Sequence, residues 1–85
     1  MEPFKVIIVE DVPLELKGTE GIFKNEIPEA EIIGTAESET SYWRLIKQQV
    51  PDLVLLDLGL GGSTTIGVEI CRQTKETYPA LKVLI

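Results

Sequence analysis

Two short runs of aliphatic residues constrain what this chain can fold into more than any other feature. Residues 5–9 read KVIIV and residues 53–56 read LVLL, so both runs are almost free of polar side chains. Runs of this length and composition are typical of strands that are buried on both faces of a parallel sheet. Weaker runs at residues 31–36 (EIIGTA) and 81–85 (LKVLI) raise the number of predicted strands to four.

Three segments with helical spacing separate the four predicted strands. Pro13 suits the first turn of the first segment, and Ser38 or Ser41 is a candidate N-cap for the second. A proline follows each segment, at positions 28, 51 and 79, where it would end a helix. The spacing predicts core-facing side chains at Val12, Leu16, Thr19, Ile22 and Phe23, at Tyr42, Leu45, Ile46 and Val50, and at Ile66, Ile70, Cys71 and Tyr78.

The order of these elements predicts the fold class. Strands and helices alternate along 85 residues with short connections, and a chain of this length makes at most one domain. Alternation of this kind produces right-handed βαβ units. We therefore expect an α/β fold, in which helices cover a parallel sheet.

The composition excludes several classes of function. Asp and Glu outnumber Lys and Arg by 14 to 8, so the net charge of −6 offers no basic surface to nucleic acid or to an anionic membrane. No apolar run approaches the roughly 18 residues of a membrane span, and the first residues, MEPFK, do not resemble a signal peptide. A cytoplasmic location is the remaining expectation. Cys71 is the only cysteine, which excludes an internal disulfide, and we expect it to be a small buried apolar side chain.

Acidic residues directly follow the two strongest predicted strands. Glu10 and Asp11 come after residues 5–9, and Asp57 comes after residues 53–56. If these strands are neighbours, three carboxylates meet at the edge of the sheet where open α/β folds bind ligands. Two such charges about 4 Å apart repel by roughly 4 kcal/mol at an effective dielectric constant of 20. The cluster then requires protonation or a cation, and an all-oxygen site of this kind suits Mg²⁺.

A simpler interpretation of the same acids is that each one ends a strand or caps the following helix, as Asp often does. Acids at the ends of two separate apolar strands favour the metal site over this interpretation. The reason is geometric, because parallel strands deliver both ends to the same edge of the sheet.

The residues around these acids resemble the receiver domains of two-component signalling. Val-Glu-Asp at residues 9–11 is similar to the acidic pair after the family's first strand, and residues 51–58 (PDLVLLDL) are similar to the segment that ends in its phosphoacceptor. Residues 71–83, from CR to YPALKV, are similar to the third helix and fourth strand of regulators with a DNA-binding output. The resemblance implies a flavodoxin-like, doubly wound parallel sheet of strand order 2-1-3-4. The fifth strand and the last two helices would be absent, so residues 1–85 would form a partial receiver domain.

The resemblance also implies a mechanism. Asp57 would be the nucleophile that takes a phosphoryl group from a sensor histidine kinase or a small phosphodonor and forms an acyl phosphate. Asp11 would bind Mg²⁺ directly, Glu10 would bind it through water, and Gly59 would contribute its backbone carbonyl. Asp57 itself would also belong to the metal site. The domain would be a switch rather than an enzyme. Its implied partners are the histidine kinase and a second receiver in a homodimer, with DNA contacted only by a separate output domain.

The loop after the predicted phosphoacceptor departs from the family pattern. The family usually reads Asp-x-x-x-Pro-x-x-Asp/Asn-Gly, whereas this chain has Gly61 at the proline position and two extra residues before Gly67. We expect a longer and softer loop from Gly59 to Thr65, which would alter phosphodonor access or the lifetime of the phosphoryl group. Its glycines do not complete a nucleotide-binding motif. The departure supports an alternative function, a phosphorylation-independent pseudo-receiver that binds proteins through its helical faces.

The second departure is the end of the sequence at Ile85. The family continues with a Ser or Thr after the fourth strand and a Lys at the end of the fifth. We expect residues 81–85 to form a mostly apolar edge strand, and such an edge pairs readily with another chain if nothing covers it.

Overall fold

The computed structural model describes residues 3–62 and 64–85 and confirms the predicted alternation of strands and helices. Within these ranges, no helix is both long enough and apolar enough to cross a membrane. The strands are β1 (Phe4–Val9), β2 (Ala30–Ala36), β3 (Leu53–Leu56) and β4 (Lys82–Leu84). The helices are α1 (Pro13–Glu26), α2 (Glu39–Gln48) and α3 (Thr64–Thr77), and a 3₁₀ turn covers Leu60–Gly62.

The four strands form one parallel sheet in the order β2-β1-β3-β4, as the family resemblance implies. Val9, the last residue of β1, pairs with Ala36 of β2 on one side and with Leu56 of β3 on the other. These three strands therefore end level with one another. The residues that follow them are delivered to a single edge of the sheet.

A bulge in β2 produces this level ending. Val6 pairs with Ile32 and Ile7 pairs with Gly34, so Ile33 is an extra residue on β2. Gly34 also lets α2 approach the sheet, because a Cβ there would lie 2.9 Å from a methyl carbon of Leu45. The bulge sets where β2 ends relative to β1, and the glycine leaves room for the Leu45 side chain.

Alternate residues of β1 point to opposite faces of the sheet and build two separate apolar cores. Val6 and Ile8 pack with Phe23 of α1 on one face. Ile7 and Val9 pack on the other face with side chains from α2 and α3. Because helices cover both faces, the sheet is doubly wound. The second and larger core also contains Ala36, Tyr42, Ile46, Val54, Leu56, Leu60, Ile70 and Leu81.

A buried hydrogen bond joins α2 to α3 within the larger core. The hydroxyl oxygens of Tyr42 and Thr74 lie 2.7 Å apart, and both residues are fully buried. Each hydroxyl satisfies the other, so the pair adds specificity without leaving a polar group unpaired. Burial raises the pKa of Tyr42 above the ordinary tyrosine value, so the phenol is still more resistant to losing its proton than an exposed tyrosine.

Helix α2 begins with a reciprocal capping box. The Ser38 hydroxyl accepts the backbone N–H of Ser41 at 3.2 Å, and the Ser41 hydroxyl accepts the backbone N–H of Ser38 at 3.1 Å. Of the two predicted candidates, Ser38 is therefore the N-cap and Ser41 is its partner inside the first turn.

Three side chains predicted to face the core are exposed, so this part of the prediction is wrong. Val12 is 42% exposed, Ile22 is 58% exposed and Val50 is 46% exposed. Val12 is the N-cap of α1, and Ile22 precedes the buried Phe23, about 100° away around the helix axis. Val50 lies beyond the end of α2. Cys71 is half-buried rather than buried, and it packs against the larger core.

The predicted strand at residues 81–85 is shorter in the structure. Strand β4 pairs with β3 at one edge of the sheet, in register from Leu53 opposite Lys82 to Leu55 opposite Leu84. Leu84 and Ile85 are exposed.

Candidate metal centre

Three carboxylates lie together at the edge of the sheet where β1 and β3 end. Glu10 and Asp11 follow β1, and Asp57 follows β3. The backbone fixes this placement, because Asp57 N donates to the carbonyl of Val9 at 3.0 Å. One carboxylate oxygen from each acid lies within 4.8 Å of the others, and all three residues are partly buried. The structure thus brings together the three acids that the sequence singled out.

Each carboxylate has one oxygen held by a backbone N–H group. The bonds run from Val12 N to Glu10 Oε2 at 3.2 Å, from Gly61 N to Asp11 Oδ2 at 3.1 Å, and from Gly59 N to Asp57 Oδ1 at 3.1 Å. A carboxylate has two oxygens with about four acceptor positions. The backbone bonds therefore orient the acids without exhausting their capacity to bind a cation.

The pKa of Glu10 is raised by its burial and by the neighbouring acids. Burial raises its pKa above the ordinary glutamate value, and Asp57 raises it further through a shared hydrogen bond and charge repulsion. The charge of Glu15 adds to this rise, and the N–H of Val12 opposes it. A carboxyl group with a raised pKa favours protonation or a neighbouring cation.

The loop after β3 contains two glycines in the left-handed region of backbone conformation. Gly61 has a φ of +70° and Gly62 a φ of +76°, and residues with a side chain rarely adopt such values. Proline, which the family pattern has at position 61, fixes φ near −65° and has no N–H group. The glycine therefore makes possible both the turn and the bond to Asp11.

Core packing anchors this turn. Leu60, its first residue, is 1% exposed and belongs to the larger core. The loop predicted to be soft thus contains a packed turn at Leu60–Gly62. Ser63, which falls within the predicted loop from Gly59 to Thr65, lies outside the described residues.

Sequence reasoning missed the contribution of Gly61 to the site. It treated the glycine as a source of loop softness, whereas the structure gives its N–H group a partner 50 positions away in the sequence. The available signal was the replacement of proline by the residue that has both an N–H group and access to positive φ.

Helix α3 packs directly on the backbone that follows Asp57. A Cβ at Gly67 would lie 2.8 Å from the carbonyl oxygen of Leu58, closer than real side chains come. Gly67 is buried in the first turns of α3. Gly67, which comes two residues later than the glycine of the family pattern, therefore permits a close contact between α3 and the site.

The donor set fits a hard divalent cation. The carbonyl of Gly59, the fourth predicted ligand, accepts the N–H of Gly62 at 2.9 Å. A carbonyl oxygen has two lone pairs, so this bond is compatible with a second partner. Carboxylate and carbonyl oxygens are the ligands that Mg²⁺ prefers, and a cation would offset the charge repulsion that, together with burial, raises the pKa of Glu10.

Comparison with known proteins matches this chain to one family. A sequence profile described as "Response regulator receiver domain" matches residues 6–85. The methanol utilization control regulatory protein MoxX of Paracoccus denitrificans is 29% identical over 83 residues, which are 98% of this chain and 36% of MoxX.

Solved structures give the same fold. The response regulator RcsB of Salmonella typhimurium matches with a TM-score of 0.83 at 23% identity, over 98% of this chain and 42% of that chain. The anti-anti-sigma factor PhyR of Bartonella quintana, complexed with the anti-sigma factor NepR, matches with a TM-score of 0.82 at 21% identity, over 95% of this chain and 32% of that chain. The present chain spans less than half the length of MoxX, RcsB and PhyR.

Proposed function

We propose, from the premise that this chain belongs to the response regulator receiver domain family, that it is a Mg²⁺-dependent phosphoacceptor modified on Asp57. The observation that carries the proposal is the cluster of Glu10, Asp11 and Asp57, with carboxylate oxygens within 4.8 Å of one another. Such a cluster destabilises a metal-free protein through charge repulsion. A domain that bound partners only through its helical faces would have no chemical use for it.

We infer that Asp11 and Asp57 bind Mg²⁺ directly, that Glu10 binds it through water, and that the Gly59 carbonyl is a further ligand. The orientation of the two aspartates supports this assignment. The backbone bonds engage Oδ2 of Asp11 and Oδ1 of Asp57. Of the other two oxygens, we assign Oδ1 of Asp11 to the metal and Oδ2 of Asp57 to the attack on phosphorus. Oδ1 of Asp57 has a second acceptor position besides its bond to Gly59, and we assign that position to the metal.

The proposed reaction is transfer of a phosphoryl group from a phosphohistidine to Asp57. Oδ2 of Asp57 attacks phosphorus in line with the phosphorus–nitrogen bond of the donor. An oxygen–phosphorus bond forms as that bond breaks, the electron pair stays on the imidazole nitrogen, and the imidazole takes a proton from solvent. When bound, Mg²⁺ would offset the charge that builds up on the phosphoryl oxygens. The N–H of Gly59, 3.1 Å from Oδ1, holds the nucleophile in one orientation throughout.

The partner in this proposal is a sensor histidine kinase that supplies the phosphohistidine, and modification would change a surface that a second receiver or another protein recognises. MoxX is a regulatory protein and the RcsB structure concerns DNA interaction. With a net charge of −6, this chain is a poor ligand for DNA. We therefore assign any DNA contact to a separate output domain.

Intact-mass measurement of the purified protein with acetyl phosphate, with and without Mg²⁺, tests the proposal. We expect a phosphoryl adduct only when Mg²⁺ is present, and we expect Asp57→Asn to abolish it. Asp52→Asn is the matched control, because Asp52 lies at the opposite end of β3, where its carboxylate accepts the N–H of Lys5 at 2.7 Å. The adduct should persist in that variant. A parent protein without an adduct, or an equal adduct on Asp57→Asn, would refute the proposal.

A second candidate function is a phosphorylation-independent pseudo-receiver that binds a protein. Two observations favour it, namely the turn in which Gly61 departs from the family pattern and engages Asp11, and the PhyR–NepR complex of a protein with the same fold. Calorimetry separates the two candidates. Failure to detect Mg²⁺ binding at millimolar concentration would favour the pseudo-receiver.

A further inference from the structure

We infer that Gly61 is a positioning residue for Asp11, an inference that rests on the proposed phosphoacceptor function and deepens it. The N–H of Gly61 donates to Oδ2 of Asp11 at 3.1 Å. This bond connects the loop after β3 to the residue that follows β1, across 50 positions of sequence. It thereby joins the two segments that supply the proposed metal ligands, Glu10 and Asp11 after β1 and Asp57 and Gly59 after β3.

The contact requires glycine at position 61. The φ of +70° lies where side chains are rarely tolerated, and a Cβ there would come within 3.0 Å of the Cδ1 of Ile66. Proline could neither reach this φ nor donate the hydrogen bond. A chain with the usual family residue at this position could not orient Asp11 in this way.

The hydrogen bond between Gly61 and Asp11 is present before any metal binds. Leu60 is buried in the larger core, and its packing fixes the turn that presents the Gly61 N–H group. A bond to Oδ2 selects one rotation of the Asp11 carboxylate and therefore one placement of Oδ1. Removal of such an outer partner from a metal ligand typically weakens metal binding by about 10-fold to 100-fold.

Calorimetric titration of Mg²⁺ into the parent protein and three variants tests this role. Gly61→Pro removes the donor and the backbone conformation, and we expect Kd to rise by about 10-fold to 100-fold. Gly61→Ala keeps the donor but strains the turn, so we expect a smaller rise. Gly18→Ala is the control, because a Cβ at Gly18 would meet nothing within 4 Å in the middle of α1, and Gly18 takes no part in the turn. We expect its Kd to equal that of the parent.

A second readout is independent of metal. In the metal-free protein, hydrogen exchange of the Gly61 amide, followed by NMR, should be slow in the parent and fast in Asp11→Ala. Equal exchange in the two proteins would overturn the contact itself.

The remaining outcomes separate this inference from the proposed function. A parent-like Kd in folded Gly61→Pro and Gly61→Ala would overturn the positioning role and leave the phosphoacceptor intact. A parent protein that binds no Mg²⁺ would overturn both. If the proline variant does not fold, the ratio of Kd between Gly61→Ala and Gly18→Ala decides, and equal values would overturn the inference.

Discussion

Replacement of Glu10 by glutamine should stabilise the metal-free protein. The pKa of Glu10 is raised by burial and by Asp57, so at neutral pH its negative charge opposes folding. Glutamine has the same shape, and its amide oxygen can still accept the N–H of Val12, which lies 3.2 Å from Oε2 in the parent. The substitution therefore removes the charge and keeps the local structure.

The magnitude follows from the geometry of the cluster. Two unit charges at 4.8 Å, the limit of the carboxylate separations, repel by about 3.5 kcal/mol at an effective dielectric constant of 20. The acids are only partly buried, so solvent and salt reduce this figure to about 1–2 kcal/mol. Loss of a negative charge near the N-terminus of α1 opposes the gain by about 0.3–1 kcal/mol. Repulsion is the larger effect, and we expect a net gain of about 1 kcal/mol, which corresponds to about 4–8 °C in Tm for a domain of this size.

Thermal unfolding in EDTA over a range of pH is the assay. Because the folded-state pKa of Glu10 lies above its unfolded value, the parent should gain stability as the pH falls through the folded pKa. The advantage of Glu10→Gln should therefore be largest at neutral pH and should vanish below the unfolded pKa. Mg²⁺ should stabilise the parent and reverse the order of the two proteins. Asp52→Asn, at the other end of β3, controls for loss of charge as such and should not be stabilised. A metal-free Glu10→Gln variant less stable than the parent at neutral pH would refute this reasoning.

Three further predictions concern packing, and denaturant titration measures each of them. Tyr42→Phe leaves the buried Thr74 hydroxyl without its partner and should cost about 1–3 kcal/mol of stability. The double variant with Thr74→Val should recover most of this loss. If the losses of the two single variants simply add in the double variant, the hydrogen bond is contradicted. Gly67→Ala places a methyl group 2.8 Å from a backbone carbonyl oxygen and should destabilise the protein by about 1–3 kcal/mol. Gly18→Ala, in the open middle of α1, should instead stabilise it by about 0.5–1 kcal/mol. Equal effects of the two substitutions would contradict the close packing of α3. Ser38→Ala breaks the capping box of α2 and should cost about 1 kcal/mol; no loss would mean that α2 starts without it.

The elements and the three acids could be predicted because local sequence encodes both. Unbroken aliphatic runs identify buried strands, and acids directly after two of them identify the edge of a parallel sheet. The strand order came from the family resemblance, since pairing between distant strands leaves little periodic signal. The same limit explains why the contribution of Gly61 was not predicted, since its bond to Asp11 depends on the folded positions of two segments 50 residues apart.

Helical periodicity predicts which residues share one face of a helix better than it predicts which face points to the core. Leu16, Ile22 and Phe23 all fit a helical stripe, yet Ile22 faces solvent because α1 turns Phe23 toward the sheet. Val50 fits the stripe of α2 only if the helix continues past its observed end. In short helices with several apolar residues, contacts with the sheet decide which side faces inward.

The uneven anchoring of the helices bears on how the domain opens. Phe23 is the buried side chain of α1, whereas α2 and α3 bury two side chains each and share the bond between Tyr42 and Thr74. Helix α1 should therefore detach in sub-global fluctuations that leave the other two helices in place. Because α1 begins just after Asp11, its first turn lies next to the three acids. A cation that holds the acids together would therefore restrain α1 before it affects the other helices. Amide protection along α1 would then report occupancy of the centre, while protection along α2 and α3 would report global unfolding.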